Sequence, residues 1–525
     1  MSGLIQAEGR FSVIDPHLRG DVLDEAKSRG LFRIAGRLRE LVRFSPLKRN
    51  LNVSQAPVSY SERPEPVETP LRRRRAHAIR NRPLPTVRKP VQPGPVNHEA
   101  RYLQTVVSDA AKSHASKGSV PEHLITTHHN AIEHVAIGGD EIFGDFAEVI
   151  KSARDEILIQ TFSWEPDSPG VQKQIVPAIK ALQEEARRHP ERFKLPLKIR
   201  ILVNQARGPA AKFMKRKKGN RPPTADYLLP NLGKIDRRLL DIKGGVHVNK
   251  VTDALHSKTI VADGYRAAIT GANVQRRNHA SDQGKGRPAF DTGLRFRGEV
   301  GEALRTSFAH NWENGLDTKD RPNKKMRALR RPPKMTGLSE TPITVLSRRS
   351  NANIADRSLK DPQGQGFTAA IRNAHSEVCI QSPNLNNPEI IKELVDAANR
   401  GVQVKLLLSK RFNEQRESST GAGGTNAQAV ETIRKLSSNN PSIDIRWYVP
   451  PGETEAVEEN KMGDGASHAK FASFDDQMAI TGSTNMDNQS IYYADETSIA
   501  ISGKDNTLYI KNRIFTPAFD RSVSA

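Results

Sequence analysis

Short apolar runs with the period of buried strands recur along this chain, and helical stretches separate them. ILIQTFSW (157–164) follows a helix ending in IKSARDE, and VCIQSPNL (378–385) follows IRNAHSE in the same way. LKIRILVN (197–204) has a partner in VQVKLLLS (402–409), KTIVAD (258–263) in KFASFD (470–475), and AAIT (267–270) in MAIT (478–481). The pairs come in the same order, so the chain carries a duplicated domain. Strands alternating with helices predict the α/β class: two lobes, each a sheet covered by helices, packed with pseudo-twofold symmetry.

The 525 residues exceed one ordinary core and suit two lobes plus extra segments. Residues 1–98 read as a basic tail, dense in proline, with Arg72, Arg73, Arg74 and Arg75 in succession. Such a segment buries too little to offset its ordering entropy, so most of it is expected to be disordered. Within it Leu31, Ile34, Ala35, Leu38, Leu41 and Val42 fall on one helical face flanked by arginines. This amphipathic helix suits a surface anchor or a solvated helix equally. Lobe 1 is expected at 99–317, a basic linker at 318–340 and lobe 2 at 341–525.

The formal charge of +22 favours anionic partners without choosing among nucleic acid, acidic membrane and phosphorylated small molecules. A single cysteine, Cys379, excludes an intrachain disulfide framework and a thiolate-built zinc site, and it reads as a buried strand residue. No stretch is long and apolar enough to cross a membrane, and the start lacks the pattern of a Sec signal. The expectation is a protein that is soluble or peripheral at a membrane, either cytoplasmic or exported by a specialised secretion system.

The candidate chemistry lies in the third pair of runs. HSKTIVAD (256–263) and HAKFASFD (468–475) share the spacing H-x-K-x4-D, and each precedes a glycine turn that ends in Asn273 or Asn485. A period of two places His256 beside Lys258 and His468 beside Lys470. A neutral imidazole can attack phosphorus, while the ammonium groups and asparagine amides neutralise the non-bridging oxygens. This chemistry requires no metal and no cofactor. One H-x-K arises readily by chance; two copies with the same sequel do not.

These motifs resemble those of the phospholipase D superfamily, over roughly residues 125–515. The resemblance implies a mixed sheet in each lobe, one active site between the lobes, and catalysis by His256, Lys258, His468 and Lys470. One histidine would form a phosphohistidine and the other protonate the leaving alcohol; we assign His256 as nucleophile and His468 as acid, roles that pseudo-symmetry could exchange. Asn273, Asn485 and Ser483 would bind or support phosphate, and Asp263 and Asp475 would be structural. The resemblance also implies an acidic residue downstream of each motif to orient the imidazole, here Asp291 in AFDTGLRFRG and Glu496 in YYADETSIAISG. Ala272 departs from the pattern at the position that Ser483 fills in the second copy.

Both motifs in one chain suit the lipid-acting branch of the superfamily, of the bacterial phospholipase D and cardiolipin-synthase kind. FDTGLRFRGEVGEALRTSFAHNWE (290–313) and NMDNQSIYYADE (485–496) resemble that branch as well. The expected enzyme is a monomeric phospholipase D that releases phosphatidic acid and a free head group at a phospholipid surface, anionic lipid included. A nuclease is the second choice, beside a phosphatidyltransferase and a catalytically silent membrane scaffold. Trp164 reads as packing or as a border of the cleft, and the histidine-rich HLITTHHNAIEH (123–134) as an opening strand and loop. The basic KFMKRKKGNRPP (212–223) suits an anion-attracting or a solvated loop, and the glycine-rich STGAGGTNAQ (419–428) a flexible loop near the cleft.

Overall fold

All four pairs of runs become strands of one sheet. A computed structural model describes residues 96–206, 215, 216, 219, 220, 223–248, 253–279, 287–316, 338, 340–419, 421–457 and 465–525. The first repeat supplies β1 (Thr126–Ile137), β2 (Glu156–Trp164), β3 (Leu197–Ala206), β6 (Leu240–Val246), β7 (Thr259–Ala262), β8 (Arg266–Thr270) and β9 (Thr292–Gly298). A separate hairpin joins β4 (Lys215–Arg216) to β5 (Gly219–Asn220). The second repeat supplies β10 (Glu340–Arg348), β11 (Glu377–Ser382), β12 (Gln403–Leu408), β13 (Ile443–Trp447), β14 (Phe471–Phe474), β15 (Met478–Gly482), β16 (Glu496–Ser502) and β17 (Val523–Ser524).

The 15-stranded sheet has the order β17-β13-β12-β11-β14-β15-β16-β10-β1-β9-β8-β7-β2-β3-β6. From the central β10–β1 pair the two directions read alike, so the duplication in sequence is a pseudo-twofold in space. The strands β2, β3 and β6 pair in parallel, as do β11, β12 and β13, and the rest pair antiparallel. Parallel neighbours need a crossover, which Val176–Arg188 supplies between β2 and β3 and Pro388–Asn399 between β11 and β12.

Local chemistry sets these crossovers. In the second, Asn387 caps the helix by accepting from the backbone N–H groups of Glu389 and Ile390, and Pro388 opens the first turn. Ile390, Ile391, Leu394, Val395 and Ala398 form its buried face. Removing the cap with Asn387→Ala would cost about 1 kcal/mol.

The halves interlock beyond the sheet. The helix His98–Lys112, first in the chain order described, packs on Pro362–Arg372 of the second repeat, where the Tyr102 hydroxyl donates to Asn373 Oδ1 at 2.7 Å. From the far end, Arg513 Nε donates to the carbonyl of Val135 on β1 at 2.8 Å. Trp164 lies in the core with its indole N–H on the carbonyl of Leu228, so it is a packing residue. Cys379 is buried in β11, and burial pushes its thiol up to about 12. The histidine-rich stretch forms a short helix (Glu122–Ile125) and most of β1. The amphipathic face at 31–42, the arginine run at 72–75 and nearly all of the 318–340 linker lie outside the described residues. So does most of the 212–223 loop.

Candidate active site

Each His-x-Lys segment stands just ahead of its strand rather than inside it, because β7 begins at Thr259 and β14 at Phe471. The reason is a change of partner. His256 N–H donates to the carbonyl of Asp495 at 2.8 Å, and His468 N–H to that of Phe290 at 2.7 Å, so each lead-in pairs with the opposite repeat. The bridges Leu255–Asp495 and Phe290–Ser467 are the two pseudo-equivalent contacts. They bring both histidines to the wall of one cavity.

The carboxylates cross over in the same way. Glu496, downstream of the second motif, meets His256 Nδ1 at 2.7 Å, and Asp291, downstream of the first, meets His468 Nδ1 at 2.8 Å. A carboxylate at Nδ1 holds the proton there and leaves Nε2 with its lone pair for chemistry. The two pairs are not identical. Ser483 Oγ donates to the other oxygen of Glu496 and accepts from Thr497 N–H at 3.0 Å. The structure puts Gly271 rather than Ala272 at the place of Ser483, since Gly271 N–H meets the carbonyl of Thr292 at 3.1 Å as Ser483 N–H meets that of Thr497 at 3.0 Å. Gly271 has no hydroxyl to give, and Asp291 Oδ1 is buried without a hydrogen-bond partner. Ser483 thus touches the carboxylate, and it is absent from the cavity wall.

Electrostatics follow from burial. Burial pushes the Asp291 carboxyl up to about 6 despite the cations near it. Burial acts on Glu496 in the same sense, but His256, Lys258 and Ser483 outweigh it and hold that carboxyl below its usual range. Burial and the neighbouring lysines depress both imidazoles, His468 strongly. Lys258 falls to about 7 and Lys470 to about 8, mainly through burial and through further cations close by. Lys258 Nζ donates to the His256 carbonyl at 2.6 Å, and Lys470 Nζ donates to the His468 carbonyl. Lys258 and Lys470 are absent from the cavity wall, and their buried charges close by favour an anion in it.

The closing aspartates of the motifs sit in left-handed turns, both at φ 53°. Asp263 accepts from the backbone N–H groups of Arg154, Asp155 and Glu156, where β2 begins, and Asp475 accepts from those of His375, Ser376 and Glu377 at the start of β11. Gly271 and Gly482 serve the site differently. A Cβ on Gly271 would meet Asp291 Oδ1 at 2.5 Å, whereas Gly482 adopts φ +155° and packs on Ser498.

The cavity holds about 210 Å³, and Asn273 and Asn485 line it with the two histidines. Sequence reasoning missed several of its residues. Phe162 meets the His256 ring edge-on at 5.4 Å between centroids, and Phe412 stacks on His468 at 5.8 Å. Phe412 lies between two left-handed residues, Arg411 and Asn413, in the loop that leads to the glycine-rich stretch. Arg277, Glu417 and Asp487 add charge to the wall. The reading of STGAGGTNAQ as a loop near the cleft was the nearest signal in the sequence. Among the described residues, no group of three or more His, Cys, Asp or Glu is arranged to hold a metal ion.

Residues 367–515 match the profile of a family described as "Cardiolipin synthase, PLD-like domain". No curated protein matches the chain at a significant level. Among solved structures, phosphatidylserine synthase from Haemophilus influenzae Rd KW20 aligns at TM-score 0.50 and 11% identity, covering 82% of this chain and 92% of its own. NucT from Helicobacter pylori aligns at TM-score 0.26 and 16% identity, over 35% of this chain and 100% of its own. The phospholipase D family member Nuc from Salmonella typhimurium aligns at 0.25 and 17%, over 35% and 99%. The first likeness shares the two-lobed fold.

Proposed function

The chain belongs to the phospholipase D superfamily, and from that premise we propose that it cleaves the phosphodiester of a glycerophospholipid, releasing the head group and leaving phosphatidic acid. Its reaction class is phosphodiester cleavage or phosphatidyl transfer. The observation that carries the proposal is the pair of imidazoles on one cavity wall, each with Nδ1 on a carboxylate of the opposite repeat.

In this reading His256 Nε2 attacks phosphorus, an N–P bond forms, and the P–O bond to the head-group alcohol breaks. His468 gives its Nε2 proton to the departing oxygen. Lys258, Lys470, Asn273 and Asn485 balance the charge that builds on the non-bridging oxygens. The phosphate brings the negative charge that lifts His468 from its depressed value, so substrate binding itself arms the acid. Water then gives a proton to His468 and attacks phosphorus, the N–P bond breaks, and His256 is restored.

An alcohol in place of water would make the same enzyme a phosphatidyltransferase, a second reading favoured by the match to the cardiolipin synthase profile. The substrate would be reached at a membrane surface, and among the described residues no helix is long and apolar enough to cross one.

The test uses the full chain on vesicles of phosphatidylcholine or phosphatidylethanolamine, with chelator present. Phosphatidic acid should form, and added 1-butanol should divert it to phosphatidylbutanol. Intact phospholipid beside degraded DNA or RNA would replace the lipid reading with the nuclease that the +22 charge also suits.

A further inference from the structure

The pseudo-twofold axis relates the residues of the cleft, but it does not relate their charges. Trp164 bridges to Val274 in the first repeat, and Leu385, its counterpart, bridges to Met486 in the second. Gln275 therefore corresponds to Asp487, and Arg277 to Gln489, and all four line the cavity. The first repeat offers a cation where the second is neutral, and the second a carboxylate where the first has an amide. Glu417, the last residue of the short helix Glu414–Glu417 after β12, joins Asp487 in the second repeat, and the exposed Arg416 beside it also lines the cavity.

These acceptors are built in rather than incidental. Asn384 Nδ2 donates to one oxygen of Glu417 at 2.9 Å and Asn386 Nδ2 to the other at 2.6 Å. Asp487 Oδ2 takes the Asn485 amide at 3.1 Å, and Oδ1 caps the turn at Ser490. Each carboxylate oxygen keeps capacity for a further donor. Asn485 is only 8% exposed, lines the cavity, and its Oδ1 has no hydrogen-bond partner. Glu417, Asp487 and Asn485, all from the second repeat, thus put acceptors along the wall of one small cavity. Burial and the Asp487 charge push Glu417 up to about 7, a cost that an ammonium placed beside it would relieve.

We infer that Glu417, Asp487 and Asn485 form a subsite for a small alcohol bearing a protonated amine, attached to or exchanging with the phosphate held between the histidines. The inference rests on the proposal that the cleft takes a phosphodiester. Size agrees with it. The cavity, at about 210 Å³, has room for a phosphate and a short amino alcohol.

The test compares phosphoethanolamine with propyl phosphate, which differs by a methyl in place of the ammonium, using titration calorimetry on the full chain. Phosphoethanolamine should bind at least tenfold more tightly. Glu417→Gln, which can keep one asparagine bond through its carbonyl, and Asp487→Asn should each cut that ratio at least threefold. Equal binding of the two ligands, or a ratio unmoved by either variant, would overturn the subsite, and melting temperatures report whether each variant is folded. Two arms on vesicles separate the source of the amine. Phosphatidylethanolamine against phosphatidylpropanol reads the leaving head group, and ethanolamine against 1-propanol as acceptor reads the incoming alcohol. If neither phospholipid vesicles nor bis(p-nitrophenyl) phosphate is turned over while the binding ratio stands, the phosphodiesterase reading fails and the subsite survives.

Discussion

Crossed pairing makes the two histidines separable at the level of single side chains. Glu496→Gln keeps the shape but allows the wrong tautomer of His256, so kcat should fall about 100-fold with the fold intact. The same change in a His256→Ala background should cost little more, because the carboxylate acts through that ring; a full additional loss would place Glu496 elsewhere in the reaction. The bare oxygen of Asp291 gives a second handle. That carboxyl sits at about 6, so it loses its charge as pH falls through 6 and can no longer hold the His468 Nδ1 proton. Asp291→Asn, which keeps the shape but cannot ionise, should cut kcat and remove the acid limb of kcat/KM that this carboxyl sets. An unmoved limb would mean that Asp291 does not set it. The lysines titrate in the opposite sense for anions. Lys258 near 7 and Lys470 near 8 lose charge as pH rises, so inhibition by sulfate, which does not itself titrate there, should weaken steadily between pH 6.5 and 9. Inhibition that is constant over that range would show that these ammonium groups do not hold the anion.

Turns and strand ends, rather than the strands themselves, carry the motif's last residue. Asp263→Ala would strip three backbone N–H groups of their acceptor where β2 begins, and Asp475→Ala would do the same at β11, each costing on the order of 2–3 kcal/mol in denaturant unfolding. A loss of activity without loss of stability would instead make these aspartates part of the chemistry. At this scale the sequence was informative, since every paired apolar run is a strand. Continuous apolar character marks strands buried on both faces, and that pattern survives without knowledge of the neighbours. What lies between strands was less legible. Nothing in His256 or His468 announces that its segment leaves its own hairpin for the opposite repeat, because Glu496 is 240 residues from His256 and the choice is made by packing. Phe412 and Glu417 escaped for the same reason: a side chain between strands reaches the cleft only through the fold beneath it.

One cavity served by two repeats of a single chain has a consequence for the whole molecule. Mixing His256→Ala with His468→Ala protein should restore no activity, since each copy of the chain needs both rings in its own cleft; recovery on mixing would show that halves are exchanged between molecules. The pseudo-twofold architecture was readable from the order of the repeats, whereas the interlocking of the halves through His98–Lys112 and Arg513 was not, because those contacts join distant parts of the chain. The central claim is that this symmetry is broken in chemistry, with a nucleophile from one repeat and an acid from the other. Rapid acid or alkaline quench of the enzyme during turnover of a substrate labelled in its phosphate, followed by peptide mapping, tests it most directly. Label on His256, absent from the His256→Ala protein and still formed by His468→Ala when the leaving alcohol is a good one, is the predicted result. Label on His468 would reverse the roles, and wild-type turnover by His256→Ala with no phosphoenzyme at all would contradict the two-histidine mechanism.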